Sequence, residues 1–316
     1  MATIGCFLSS EEHSAPSLVQ QAVRAEETGF TTAWLSDHFH PWNDEQGQSP
    51  FVWTTLGAIA QATDALRVHT AVTAPTVRIH PAIIAQAAAT TATMFGPGRF
   101  GLGVGTGEAL NEHILGDPWP SADIRLEMLE EAVAMIRTLW SGETSDHDGV
   151  YYHLENARIY SLPDELPPIH VSGFGPKAIA LAAKIGDGYM NVAPYGVDDY
   201  RGQGGQGTTH GGLKVCVGPD KDECVRTAHR LWPNEALPGE LAQVLPTVKH
   251  FEQAAQLVTP EMIGESTPCG PDAGPVIEAV QEFLDAGFDE VYIGQIGQDH
   301  DAFYALMRDE VLPHFS

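Results

Sequence analysis

The sequence is poor in basic residues, and this shortage limits its possible partners. Among 316 residues, 16 are Lys or Arg and 42 are Asp or Glu, which gives a net charge of −26 at pH 7. No lysine precedes Lys177. A charge of this sign repels the phosphates of nucleic acids and of anionic membranes. We therefore expect no nucleic-acid partner and no membrane partner.

Cysteines and long hydrophobic runs are also scarce. The four cysteines show no CxxC spacing and are too few for a disulfide framework. Nowhere do 18 consecutive apolar residues occur, and the start of the chain, MATIGCFLSSEEHS, lacks the basic region and apolar core of a signal peptide. These absences predict a cytoplasmic protein in a reducing compartment.

The acidity has two explanations that the sequence leaves open. Strong self-repulsion is screened by salt, so one hypothesis is an organism with high internal salt. The other is an acidic protein from a GC-rich genome. A series of melting temperatures from low to molar KCl separates the two hypotheses.

Apolar segments of strand length alternate with helical patterns along the whole chain. The predicted strands are ATIGCFL, TTAWL, LRVHTAVT, RFGLGVG, PIHVSG, GYMNV, LKVCVG and EVYIGQI. Several are continuous apolar runs, which is typical of parallel strands buried on both faces. Eight such units favour a (β/α)₈ TIM barrel over an open sheet. We predict one barrel domain over residues 1–316, with a hairpin insertion near 144–161 and a helical insertion near 232–270.

Polar residues and glycines collect where these strands end. In a barrel, the loops at the carboxyl ends of the strands face one bowl, where catalytic residues lie. The positions concerned are Glu11 and Glu12, then Asp37, His38 and Trp42, then Ala71, Val72 and Thr73, then Glu108, then residues 173–177, and finally Asn191. We expect these residues to converge on a single site.

Two of these segments have competing interpretations. SDHFHPW (residues 36–42) could be a polar turn, a catalytic cluster or a metal site. Asp37, His38 and His40 alternate, but the sequence near them has neither an HxxxH pattern nor a third ligand at a fixed spacing, so we predict no metal. GFGPK (residues 173–177) opens a helix with glycines and a lysine, which favours phosphate binding by free backbone amides. An ordinary glycine-rich helix entry is the alternative.

Together, SDHFHPW, GTGEALNE (residues 105–112) and GFGPK resemble the luciferase-like (bacterial luciferase superfamily) oxidoreductases. The resemblance extends through PTVRIHPAIIAQAAAT and runs nearly end to end. More narrowly, the chain is similar to the branch that uses the deazaflavin coenzyme F420, and to its subgroup resembling F420-dependent glucose-6-phosphate dehydrogenase. The resemblance implies a luciferase-like barrel, a homodimer and hydride transfer.

The resemblance also implies a role for individual residues. His38 matches the histidine that handles a proton, Trp42 the pocket wall, Glu108 the acid facing the ring's pyrimidine end, and Glu11 a substrate-side acid, with Glu12 as the alternative in register. The coenzyme contacts that the resemblance implies are Asp37, a strand-three bulge at Ala71, Val72 and Thr73 that often contains a cis peptide, then Gly105, Thr106 and Gly107, and the phosphate loop of Gly173, Phe174, Gly175, Pro176 and Lys177.

The expected substrate differs from that of the sugar-phosphate enzymes. In those enzymes, lysines and an arginine surround the substrate phosphate, whereas the matching segments here, NVAPYGVDD and EQAAQLVTPEMIGESTPCG, contain neither Lys nor Arg. Anionic substrates need such donors. We expect a neutral alcohol or carbonyl compound as the small-molecule substrate. Two alternatives stay open, an FMN-dependent monooxygenase on this fold and a sugar-phosphate dehydrogenase with an altered phosphate site.

Overall fold

A computed structural model describes residues 2–315, in which eight parallel strands close into a barrel. In chain order the strands are β1 Thr3–Leu8, β2 Thr32–Leu35, β3 Arg67–Thr70, β4 Phe100–Val104, β5 Ser145–Asp148, β6 His153–Ala157, β7 Ile169–Ser172, β8 Gly188–Asn191, β9 Thr209–Val217, β10 Cys269–Gly270 and β11 Glu290–Gln295. The barrel order is β1-β2-β3-β4-β7-β8-β9-β11, and β11 pairs with β1 to close it. The predicted (β/α)₈ barrel is confirmed.

Helices connect the strands and cover the outside of the barrel. They are α1 Ala15–Thr28, α2 Val52–Ala62, α3 Pro81–Phe95, α4 Ala109–Glu112, α5 Ala122–Leu139, α6 Pro176–Ile185, α7 Val197–Gly202, α8 Lys221–Leu231, α9 Leu241–Val244, α10 Val248–Ala255, α11 Pro260–Ser266, α12 Ala273–Asp285, α13 His300–Leu306 and α14 Leu312–Phe315. Prolines begin α3 and α6, where a missing amide hydrogen costs nothing. None of these helices within residues 2–315 is long and apolar enough to cross a membrane.

Two strand boundaries differ from the prediction. β3 ends at Thr70 instead of Thr73, and β9 begins at Thr209, four residues before the predicted start at Leu213. Polar and glycine residues at the start of β9 hide its strand character in the sequence. They are buried because aromatic rings lie directly over them: a Cβ on Gly212 would fall 2.3 Å from the ring of Trp34.

The barrel interior is filled by aromatic side chains. Trp34 stacks on Tyr292 at 4.4 Å between ring centroids and meets Phe7 edge-on at 5.6 Å. Glycines on neighbouring strands make room for these rings, since a Cβ on Gly5 would fall 2.4 Å from Tyr292. Burying a large apolar side chain stabilises the fold by about 1.5–3 kcal/mol.

Two chain segments outside the eight barrel strands carry their own secondary structure. β5 and β6 form an antiparallel hairpin within residues 144–161. Residues 232–270 contain a 3-10 turn, the helices α9, α10 and α11, and β10, which pairs with β9. Apolar residues of this second insertion, including Trp232 and Ile263, form a separate core against which Trp42 packs. That a single domain spans residues 1–316 stays a prediction, and Met1 and Ser316 lie outside the described residues.

Candidate functional site

The loops after β1 and β2 meet at the mouth of the barrel through a glutamate and a histidine. Glu11 Oε1 lies 3.5 Å from His38 Nε2, and both side chains are nearly buried. Ser36 donates a hydrogen bond of 2.7 Å to Glu11 Oε2, and its oxygen lies 2.9 Å from the hydroxyl oxygen of Ser10. The carboxylate is therefore held in one orientation beside the imidazole.

The other nitrogen of His38 has two neighbours of opposite kind. Nδ1 lies 3.1 Å from the amide nitrogen of Asn111, which can only donate, and 3.2 Å from the carbonyl oxygen of His40, which can only accept. Each neutral tautomer of His38 therefore has a partner. The ring of Trp42 lies 4.9 Å from the His38 ring and covers one side of it.

Asn111 connects the loops after β2 and β4, and the sequence analysis assigned it no role. Its Oδ1 accepts hydrogen bonds from the backbone amides of Phe39 (2.9 Å) and His40 (3.1 Å), which fixes the orientation of the side-chain amide. Its Nδ2 then donates to Glu108 at 3.3 Å as well as facing His38. In the sequence, only the position of Asn111 in GTGEALNE, three residues after Glu108, indicates a role at the mouth.

Asp37 belongs to a buried ion network that includes a second unforeseen residue, Arg78. The Arg78 guanidinium donates to Asp37 at 3.0 Å and contacts Glu112 at 3.4 Å, and its backbone amide donates to Glu112 at 2.7 Å. Thr73 donates to the other Asp37 oxygen at 2.8 Å. Burial raises the pKa of Glu112 to about 7, against the lowering effect of Arg78. The network joins the loops after β2, β3 and β4.

The two adjacent glutamates after β1 have different surroundings. Glu12 accepts hydrogen bonds from the indole of Trp232 and from the Gly297 amide at 2.9 Å, so it fastens the second insertion to the barrel. Burial raises the pKa of Glu12 to about 7 in spite of these bonds. For Glu11, burial by itself acts to raise the pKa, but the nearby charges of His38 and Lys214 lower it below its ordinary value.

Lys214 on β9 is a cation that the sequence analysis did not place at the mouth. Its ammonium lies 3.0 Å from Glu235, 3.9 Å from the ring centroid of Trp232 and 4.8 Å from that of Phe7. Side chains alternate along a strand, so Lys214 shares the inward face of β9 with Gly212. It is largely buried, and its charge acts on Glu11 and Glu12.

The residues predicted to line the coenzyme ring lie along the ends of β3 and β4. The peptide bond between Ala71 and Val72 is cis, as the resemblance implied, and Thr73 bridges to the end of β4. The Gly105 amide donates to the Thr73 carbonyl at 3.1 Å. Gly107 has a φ of +79°, where a side chain would be strained. Thr106 lies between Gly105 and Gly107 in the sequence.

The GFGPK loop lies at the start of α6, with Gly175 as the N-cap and Pro176 as the first helical residue. Within residues 2–315, the backbone amides of Phe174 and Gly175 have no hydrogen-bond acceptor, as phosphate binding at a helix start requires. Gly173 is anchored by the Tyr189 hydroxyl, which donates to its carbonyl at 2.6 Å. Lys177 is exposed and pairs with Asp123 at 2.7 Å.

The second insertion packs against Trp42, the residue that covers His38 at the mouth. Phe251 on α10 meets Trp42 edge-on at 5.0 Å between centroids. Asn43 and Gln46 both donate to the carbonyl of Leu231, which ties the loop after β2 to the end of α8. Phe251 is fully buried, so it supports Trp42 from behind and does not itself face the mouth.

Sequence comparisons agree with this architecture. The sequence model of the luciferase-like monooxygenases matches residues 1–290. An F420-dependent glucose-6-phosphate dehydrogenase of Microbacterium testaceum is 33% identical over 324 residues, covering 98% of this chain and 96% of the relative. The enzyme of the same name from Mycobacterium avium is 32% identical, covering 98% and 97%.

Solved structures show the same likeness. An F420-dependent secondary alcohol dehydrogenase in complex with an F420–acetone adduct superposes with a TM-score of 0.92 at 32% identity, covering 100% of this chain and 99% of that one. The coenzyme F420-dependent tetrahydromethanopterin reductase of Methanopyrus kandleri shares the fold, with a TM-score of 0.78 at 19% identity and coverage of 100% and 99%. With matches over nearly its whole length, the chain belongs to the luciferase-like monooxygenase family.

Proposed function

We propose that this protein is a coenzyme F420-dependent oxidoreductase that interconverts a neutral alcohol and its carbonyl compound. The observation that carries the proposal is the pairing of His38 with Glu11 beside Trp42, with Glu108 joined to the same histidine through Asn111. A pure binding protein has no need of two proton-handling groups linked in this way. Full-length similarity to F420-dependent enzymes supports the choice of coenzyme.

The chain's own residues fit a deazaflavin with a phosphate-bearing tail. The free amides of Phe174 and Gly175 would hold a tail phosphate, and the ends of β3 and β4, from Ala71 to Thr73 and from Gly105 to Gly107, would support the ring. Asp37, held by Arg78 and Thr73, would contact the ring beside His38. When bound, a deazaflavin accepts or releases a hydride at a ring carbon.

In the oxidising direction, His38 would remove the hydroxyl proton of the alcohol. Imidazole exchanges a proton near neutral pH. The tautomer whose Nδ1–H donates to the His40 carbonyl leaves Nε2 free to act as the base. The imidazolium that forms is stabilised by Glu11 at 3.5 Å, whose lowered pKa keeps it ionised. In the reverse direction His38 would return the same proton to the carbonyl oxygen.

The charges at the mouth favour a neutral substrate over a sugar phosphate. Two cations at this face already have acidic partners, since Arg78 binds Asp37 and Glu112 and Lys214 binds Glu235. The relative crystallised with an F420–acetone adduct supports a secondary alcohol and ketone pair. Similarity to the glucose-6-phosphate dehydrogenases supports a sugar-phosphate substrate instead. The cations at this mouth argue against that substrate, because they are already paired with carboxylates.

A binding and turnover screen tests both parts of the proposal. Purified protein is titrated with F420 and with FMN, and secondary alcohols, ketones and glucose 6-phosphate are then assayed by the coenzyme's visible absorbance. We expect F420 to bind and a secondary alcohol to be oxidised. FMN binding with oxygen consumption, and no affinity for F420, would overturn the choice of coenzyme. Efficient turnover of glucose 6-phosphate would overturn only the choice of substrate.

A cytoplasmic homodimer is part of the same proposal. All four cysteines are free thiols, as a reducing compartment allows. Phe51, the N-cap residue of α2, and Ile83, in the first turn of the adjacent helix α3, are each more than half exposed and provide an apolar surface for a second copy. Light scattering at raised ionic strength, which screens the repulsion between acidic copies, would give the mass of a dimer if this is right.

A further inference from the structure

Three histidines from separate strands meet inside the barrel, away from the residues of the mouth. His69 lies on β3, His170 on β7 and His210 on β9, and their exposed fractions are 4%, 3% and 0%. The ring centroids are 4.2 Å apart for His170 and His210, 4.9 Å for His69 and His210, and 5.2 Å for His69 and His170. Separations of 101 and 40 residues along the chain hide the cluster from any motif search.

The cluster leaves four buried ring nitrogens without a hydrogen-bond partner. They are both nitrogens of His69, Nδ1 of His170 and Nδ1 of His210. Buried polar atoms in folded proteins are nearly always paired with protein, water or an ion, because an unmet bond in a dry interior is costly. We therefore expect these nitrogens to bind a ligand in the barrel interior.

The surrounding residues prepare the rings to act as ligands. Thr208 Oγ1 lies 3.0 Å from Nε2 of both His170 and His210, and a hydroxyl oxygen can accept two hydrogen bonds. With protons on both Nε2 atoms, both Nδ1 atoms carry free lone pairs. Glu290 Oε2 lies 3.7 Å from His210 Nε2, the outer position that an orienting carboxylate takes behind a metal-bound histidine. Burial lowers the pKa of each of the three histidines, so they are neutral, as metal ligands must be.

We propose that His69, His170 and His210 bind one divalent transition ion of the zinc class, each through one ring nitrogen. Imidazole nitrogens suit Zn²⁺ and its neighbours, whereas Mg²⁺ and Ca²⁺ require oxygen ligands. One ligand atom from each residue already lies within 4.8 Å of the others. Bonds of about 2.0–2.1 Å to a tetrahedral ion place ligand nitrogens about 3.4 Å apart, so the rings must move closer together to bind the ion.

The bound ion would connect three of the eight strands across the barrel. β3 and β9 are separated by three strands on one side of the ring and by three on the other. A glycine on the neighbouring strand makes room for one of the rings, because a Cβ on Gly101 would fall 2.1 Å from His69 Nδ1. The ion would thus stabilise the lower barrel. This inference is independent of the proposed function, because no residue of the cluster belongs to the mouth.

The test measures metal bound during folding, since the site is buried. Tagless protein is produced in medium supplemented with Zn²⁺ or with Co²⁺, washed with chelator to clear the acidic surface, and analysed for metal content. The variants are His69→Gln and His210→Gln. The matched control is His13→Gln, because His13 is another buried histidine with an unpartnered Nε2, packed on His300 outside the cluster.

We expect one equivalent of metal in the wild type and in His13→Gln, and its loss from both cluster variants. Cobalt protein should show the intense visible absorption of tetrahedral nitrogen ligation, which surface carboxylates do not produce. Metal should raise the thermal midpoint by roughly 5 °C. Folded wild type that retains no metal after chelator washing, or cobalt bound without tetrahedral absorption, would overturn the proposal and leave a trapped water as the partner. If the cluster variants do not fold, the metal content of the wild type and the absorption spectrum of its cobalt form decide whether the three histidines bind an ion.

Discussion

The two walls of the barrel mouth are built in different ways. On the side of β2, β3 and β4, polar groups form a chain: Glu11 lies 3.5 Å from His38, and hydrogen bonds of Asn111 connect His38 to Glu108, with a separate ion network around Arg78. On the side of β9 and the second insertion, Trp42 of the loop after β2 packs on Phe251, and the ion pair of Lys214 and Glu235 lies beside the ring of Trp232. Polar networks hold groups in fixed positions, whereas an apolar wall selects by shape. The contrast assigns proton handling to the first wall and substrate selection to the second.

The largest expected effect comes from removing the histidine of the polar wall. His38→Ala should lower kcat/KM for the alcohol about a thousandfold, because proton transfer by a positioned base contributes about 10²–10⁴. F420 affinity should change little. Steady-state kinetics beside a coenzyme titration measures both. The control is His40→Ala, since His40 bonds the Leu110 carbonyl and stacks on His113. Full turnover in His38→Ala would remove His38 from the chemistry.

Arg78→Met should damage the polar wall next most. It leaves Asp37 and Glu112 buried without their cation, and breaking a buried ion pair costs about 3–5 kcal/mol. We expect a loss of this size in the free energy of unfolding and a weaker F420 affinity, measured by urea denaturation and fluorescence titration. Arg24→Met is the matched control, because the Arg24–Asp301 pair is exposed and worth under about 1 kcal/mol. Equal losses in the two variants would contradict the network.

Glu112→Gln should change how stability depends on pH. The folded-state pKa of about 7 lies above the ordinary glutamate pKa of 4.5, so between these values the folded protein holds a proton that the unfolded chain has released. Stability from this group is present at acidic pH and is lost as the pH rises towards 7. The variant should remove up to about 3 kcal/mol of that decline, seen in urea denaturation from pH 5 to 8. Exposed Glu282→Gln should leave the slope unchanged.

Phe251→Leu tests the apolar wall with a smaller expected effect. Phe251 is fully buried behind Trp42, and the substitution removes the edge contact that holds the Trp42 ring while keeping an apolar side chain, so we expect the substrate KM to rise severalfold. F420 affinity and the effect of pH should stay as in the wild type. Leu257→Ala serves as control, since Leu257 lies in the same insertion with its side chain 81% exposed. A selective loss of F420 affinity would contradict the division between the walls.

Salt should have the smallest effect on the two walls, because it screens charges at the surface and both walls are largely buried. A net charge of −26 predicts that molar KCl raises the melting temperature, by about 5 °C or more if the protein comes from a high-salt cell. The relative effects of His38→Ala and Phe251→Leu should not change with salt. A melting temperature that does not rise would dismiss the halophilic hypothesis.

The sequence predicted the barrel and much of the site because both follow local rules. Apolar runs of strand length marked the strands, and the ends of those strands located Glu11, His38 and Glu108 at one mouth. Arg78 and Asn111 were missed because their roles depend on partners 41 and 73 residues away, Asp37 and His38. β9 was read too short because the rings that bury its glycines come from other elements.

By itself, the sequence determined the alternation of strands and helices, the acidic surface and the set of loops that share the mouth. Only the tertiary structure decided which of two adjacent glutamates faces His38, where Lys214 sits, and that three distant histidines meet in the interior. The physical reason is that a backbone pattern depends on neighbouring residues. The partners of a side chain depend on strand register and barrel closure, which bring together residues that are far apart in the chain.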